Sequence, residues 1–265
     1  MRGLREVDRI LRGDATASPR LREQGLVLPL GPVIGANVLL AAFYGVCLGV
    51  FGVSNREEPD FRFLLADAIK VPLLFLLTLA ITFPSLYVVN ALVGSRLGLL
   101  QIGRLMAAAM AVLLSVLASF GPIVAFFSVT STSYHFILLL TVAVFLTAGG
   151  FGINFLWRTL PKLTLPPPHP RPATLVHVEN PEGGGPPVYT ESPETADPSS
   201  AAPAWAVTRV FAFWIVAFGL VGMQMSWVLR PFIGAPGYEF AWFRPREGSF
   251  FEAVVHAIQR LVFGP

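Results

Sequence analysis

Five apolar runs, each long enough to cross a bilayer, constrain this chain more than any other feature. A helix needs about 20 mostly apolar residues to traverse roughly 30 Å of hydrocarbon. The runs cover about Pro32 to Val53, Val71 to Val93, Leu105 to Phe127, Phe136 to Trp157 and Ala206 to Leu229. None carries Asp, Glu, Lys or Arg in its central part. Lys70, Arg104, Arg158, Arg209 and Arg230 stand at the edges, where long cationic side chains snorkel to the headgroups. One such run fits a buried soluble helix, but five do not. The expected fold is therefore an all-α, polytopic membrane bundle of about five transmembrane helices, with short amphipathic interfacial helices at both ends.

Composition excludes the main alternatives. Only 13% of the 265 residues are charged and the net charge is +3, whereas soluble domains carry about 25% charged residues. The cations are spread along the ends of the apolar runs rather than gathered in one basic patch, so no nucleic-acid partner is expected. Cys47 is the single cysteine, which rules out an intrachain disulfide. The first 26 residues are polar and charged, without an early apolar core. The first run is thus expected to serve as an uncleaved signal anchor.

With the amino terminus in the cytoplasm, twelve Lys and Arg residues fall inside and seven outside. The positive-inside rule favours that orientation and places the carboxyl terminus outside. Arg outnumbers Lys 17 to 2, which suggests a GC-rich bacterium and a plasma (inner) membrane location.

The domain plan follows from these runs. Residues 1–26 form a cytoplasmic segment in which Leu4, Val7, Ile10 and Leu11 recur at helical spacing among arginines. That pattern suits an amphipathic helix on the anionic leaflet, or one waiting for a protein partner. Residues 27–157 form a four-span bundle. Residues 158–205 are expected to be a disordered cytoplasmic loop. Stretch 159–205 holds 12 of the 23 prolines and Gly183-Gly184-Gly185, and has no hydrophobic period. Pro166-Pro167-Pro168 and Pro170 there suit a spacer better than a polyproline ligand. Residues 206–229 are the fifth span, and 230–265 an outside tail.

That tail gathers Tyr238, Phe240, Trp242 and Phe243 within six residues, a density typical of the interfacial aromatic belt. Ser249-Phe-Phe-Glu252 reads as a capping box. After it Phe250, Phe251, Val254, Val255, Ile258, Leu261 and Val262 share one wide helical face. Trp242, Phe243, Phe250, Phe251, Val254 and Ile258 are the candidate membrane or partner interface. The segment from Asn55 to Lys70, with Phe61, Phe63, Leu64 and Leu65, either dips into the interface or packs against this tail.

Few residues in the spans carry chemistry. Asn37, Thr78, Thr82, Ser85, Asn90, Ser115, Ser119, Asn154 and Gln224 supply the polarity, each able to hydrogen-bond between helices. Pro84 and Pro122 are expected to break the second and third spans, freeing backbone carbonyls. Thr82, Pro84, Ser85, Asn90 and Pro122 are therefore the candidate solute pathway, because discontinuous helices line transporter sites. Small residues four apart mark helix contacts: Gly31 with Gly35, Gly45 with Gly49, and Ala107, Ala111 and Ser115. Gly149, Gly150 and Gly152 crowd the fourth span. No zinc-binding His-Glu-x-x-His, nucleophile elbow or phosphate loop occurs. His135 follows Thr130-Ser-Thr-Ser-Tyr134 with no titratable companion nearby. No catalytic residue, metal or cofactor is expected.

One stretch carries a family likeness: Lys70-Val-Pro72-Leu-Leu-Phe, Phe83-Pro84-Ser-Leu-Tyr87, Asn90, Gly94-Ser-Arg96, Gln101 and Pro122-Ile. Over about residues 70–157 it resembles the Yip1-like family of small five-span membrane proteins. The long Pro-rich loop and the aromatic tail depart from that family's pattern. The resemblance implies a non-enzymatic protein that works by binding other membrane proteins. The expected function is thus a scaffold or anchor for a membrane complex, with the bilayer and a membrane protein or second copy as partners. A channel or facilitator for a small neutral solute is the alternative, and a lipid-modifying enzyme a distant third.

Overall fold

The structure, a computed structural model, describes residues 2–16, 26–55, 59–92, 98–164, 175–178, 188–191, 204–234, 240–243 and 250–263. Seven α-helices occur among them: α1 (Arg2–Leu11), α2 (Leu30–Ser54), α3 (Arg62–Leu92), α4 (Leu99–Thr130), α5 (Tyr134–Thr164), α6 (Ala204–Val228) and α7 (Phe250–Phe263). Helices α2 to α6 are the five long and apolar enough to cross a membrane. The chain is an all-α helical bundle of multi-pass membrane type.

Helix α2 is the hub. It packs on α1, α3 and α4, while α5 lies against α4, α6 against α3, and α5 meets α6. The core divides into two layers. Near the amino-terminal end, Val33, Ala36, Leu86, Leu105, Leu156 and Phe211 pack together. Toward the far end, Tyr44, Phe51, Phe75, Leu114, Val144 and Ile233 form the second layer. Among the described residues, polar bonds between spans include Asn37 Nδ2 to the Ala107 carbonyl at 3.0 Å and Trp214 Nε1 to that of Thr82 at 2.9 Å, and just past α2 Asn55 Nδ2 donates to the Ser128 carbonyl at 3.0 Å. Most span hydroxyls instead bond back within their own helix, as Ser115 does to Ala111 at 2.7 Å.

Several expectations change here. The α1 helix packs against the bundle through part of its apolar stripe, with Leu4 and Leu11 left exposed. Val7 and Ile10 are buried in the amino-terminal core, and Gly3 abuts the Pro32 carbonyl of α2. An amphipathic stripe fits a helical groove as well as a lipid surface, and here α2 and α4 supply the groove. Leu26 continues this strap, its N–H donating to Gln101 Oε1 at 2.9 Å and its carbonyl accepting from Arg104 at 3.2 Å.

Helix α3 begins at Arg62, ahead of the apolar run from Val71, so most of the expected interfacial loop is helix. Helices α3 and α4 run unbroken through Pro84 and Pro122. Next to Pro84, the Thr82 hydroxyl bonds to the Thr78 carbonyl at 2.8 Å and Ser85 to that of Thr82 at 2.7 Å. Such local hydroxyl bonds help a helix carry proline in a membrane. Within the segment expected to be disordered, α5 extends to Thr164, and strands Leu175–Val178 and Val188–Glu191 pair antiparallel with Leu175 opposite Glu191. Both strands are rich in the β-branched residues that favour extended pairing. The polyproline stretch and Ser249 of the capping box lie outside the described residues.

Candidate functional site

A tightly built junction lies between α2 and α3. A side chain at Gly45 would run into the Asp67 carbonyl oxygen. One at Gly49 would sit 2.9 Å from the Phe63 carbonyl oxygen, and one at Gly52 2.8 Å from the Phe63 ring. Glycines at these three positions therefore let the α3 backbone settle onto α2, the way small residues bring helices together in lipid. The contacts also set an antiparallel register, with Asp67 opposite Gly45 and Phe63 opposite Gly49. Gly45 lies nine residues from the end of α2 at Ser54, about 14 Å at 1.5 Å per residue. Asp67 and Lys70 are thus well inside the bundle.

Both are buried: Asp67 is 0% exposed and Lys70 is 2% exposed. Lys70 was expected to snorkel from a helix edge. It instead turns inward and donates from Nζ to the Pro231 carbonyl at 3.0 Å, with the Phe243 ring centroid 5.7 Å from the ammonium. Neither carboxyl oxygen of Asp67 has a hydrogen-bond partner.

The acceptor for Lys70 comes from the tail. Helix α6 ends at Val228, ahead of Pro231, which has no N–H to continue it. The buried residues Pro231, Ile233 and Gly234 then follow α3, with Gly234 against Gly52 and Phe63. Phe240 closes the junction. Its ring meets Phe63 edge-on at 5.1 Å and Trp242 at 5.7 Å, and the Arg62 guanidinium lies 5.0 Å from its centroid. The segment before the second span thus packs against the tail through Phe63, while Phe61 and Leu65 stay exposed.

The other candidate residues scatter. Thr82 and Asn90 are buried, but Pro84, Ser85 and Pro122 lie on exposed faces. Trp214 of α6 packs at this level and donates to the Thr82 carbonyl at 2.9 Å. The solute-pathway set is therefore divided between buried and exposed faces. Ala107 and Ala111 are buried in the seam between α2 and α4, with Ser115 half-buried beside them. Gly31 and Gly35 have open space where a partner helix was expected.

The wide apolar face of α7 is divided. Phe250 and Val254 are half-buried and Ala257 is fully buried on the side meeting α5 and α6, while Phe251, Val255 and Ile258 remain exposed. Trp242 and Phe243 are exposed as well.

Sequence reading left Asp67 out and set Lys70 at a span edge, because the span was begun after the last charge. A signal was present: Phe63, Ala66, Asp67, Lys70 and Val71 fall on one helical face, so two charges three apart share an otherwise apolar stripe. Among the described residues, no three His, Cys, Asp or Glu side chains group as a metal site. No protein-family model, curated protein or solved structure matches the chain.

Proposed function

We propose that this chain is a non-enzymatic multi-pass protein that anchors or scaffolds a membrane protein complex, using the outer faces of α5 and α6 to bind another membrane helix. One observation carries the reading, the uneven burial of the spans. The apolar windows of α2, α3 and α4 are 50%, 44% and 44% buried, those of α5 and α6 only 22% and 17%. Lipid satisfies exposed Leu146, Phe213 and Val216. It offers no hydrogen bond to the exposed Asn154 amide within α5. Open space at Gly149, Gly150 and Gly219 would let a further helix approach closely. The likeness to Yip1-like proteins points the same way. The charge count supports a bacterial plasma membrane with the amino terminus in the cytoplasm.

The test is extraction into polymer nanodiscs, with native mass and identification of every copurifying chain. A stoichiometric second protein, or a defined oligomer, that dissociates when Gly150→Leu blocks the α5 face is the expected result. A monomer without a stoichiometric companion overturns the proposal.

A further inference from the structure

The Asp67–Lys70 turn carries chemistry that an anchoring role does not use. A carboxylate removed from water without hydrogen bonds or a cation is prohibitively costly, whereas the neutral acid is tolerated at lower cost. Both Asp67 oxygens lack a hydrogen-bond partner while the Lys70 ammonium is held at the Pro231 carbonyl.

Among the described residues, other charged and titratable groups do not take that place. On α2 the neighbours are Tyr44 and Cys47, neither of them a cation. On α3, Arg62 pairs with Asp60 at 2.9 Å. At the end of α6, the Arg230 guanidinium stacks 3.9 Å from the Trp227 centroid, and Arg209 lies near the start of the same helix, next but one to Val207 of the amino-terminal core. The described tail residues 231–234 and 240–243 contain no titratable side chain. Among the described residues, Lys70, one turn along the same helix face, is the cation able to answer an ionised Asp67.

We propose that Asp67 is a proton-binding site inside the bundle, and that its proton keeps the tail docked by leaving Lys70 to the Pro231 carbonyl. Loss of the proton to water creates an anion that draws the ammonium one turn along α3. The Pro231 carbonyl then loses its buried donor, and the segment carrying Ile233, Gly234 and Phe240 releases from Gly52 and Phe63. The bound species is a proton, and the element that responds is the tail. This inference stands apart from the anchoring role and does not depend on it.

Hydrogen exchange of the full chain in lipid nanodiscs, read by mass spectrometry across a pH series, tests it. Protection of peptides spanning 229–243 is normalised to peptides from the core of α4, which correct for the chemistry of exchange and report any global unfolding. In the wild type, tail protection is expected to fall about tenfold per pH unit above a midpoint, the slope for one linked proton. Asp67→Asn, permanently neutral, keeps the tail protected at every pH, and Lys70→Met leaves it unprotected at every pH. A wild-type tail indifferent to pH, or one whose profile Asp67→Asn reproduces, overturns the proposal. Should Asp67→Asn fail to fold, Asp67→Glu decides: a transition of the same slope at a displaced midpoint supports the site, and an unmoved midpoint sinks it.

Discussion

Helix α2 carries two glycine pairs of identical spacing that meet opposite fates. Gly45 and Gly49 lie in contact with the α3 backbone, whereas Gly31 and Gly35 face open space. A straight helix drifts about 20° per heptad, so the fourteen residues from Gly31 to Gly45 turn the earlier pair about 40° away from the α3 seam. Near the amino-terminal end, Val33, Ala36 and Asn37 are the buried residues of α2. Small-residue spacing thus marks where a close approach is allowed. Which pair is used depends on how the neighbouring helix crosses.

The largest effect should come from Gly45→Leu. Its side chain meets the α3 backbone at Asp67, which cannot move aside as a flexible side chain would. The expected loss is about 3 kcal/mol or more, the upper end for overpacking, read as unfolding free energy in lipid by steric trapping. Gly49→Ala adds one methyl 2.9 Å from the Phe63 carbonyl oxygen and should cost about 1–3 kcal/mol in the same assay. An unchanged stability for both would dissolve the comparison. Asn37→Leu removes the donor to the Ala107 carbonyl in the neighbouring α2–α4 seam. That change should cost about 1 kcal/mol, typical of one interhelical bond in a bilayer. Gly35→Ala should be neutral or stabilising by up to about 1 kcal/mol, since it gains helix propensity and meets nothing. A clear destabilisation by Gly35→Ala would reveal a helix seated on that face.

Much of the fold was legible because bilayer crossing is a local property. Each span announces itself in about 20 consecutive residues, whatever surrounds it. The amphipathic character of α1 and α7 was equally plain. What covers them was not, since an apolar stripe is satisfied by lipid, by a partner or by the bundle itself. Val7 and Ile10 found the groove of α2 and α4, while Phe251, Val255 and Ile258 were left uncovered. The site was less legible still. Pro84 drew attention as a rule-breaking residue, yet the hydroxyls beside it let the helix continue. Lys70 looked like an ordinary charge at a boundary and Asp67 passed unremarked, because span limits drawn by hydropathy stop where charge begins.

By itself, the sequence determined that this chain is a helical multi-pass membrane protein with five runs long and apolar enough to cross a bilayer, since the transfer of each run into hydrocarbon is summed residue by residue. Only the tertiary structure decided which glycines meet a backbone and that Asp67 and Lys70 turn inward. It also brought the acceptor for Lys70 from Pro231, 161 residues further along the chain. Those outcomes depend on the rotation and register of α3 against α2, which long-range packing selects and no local window contains.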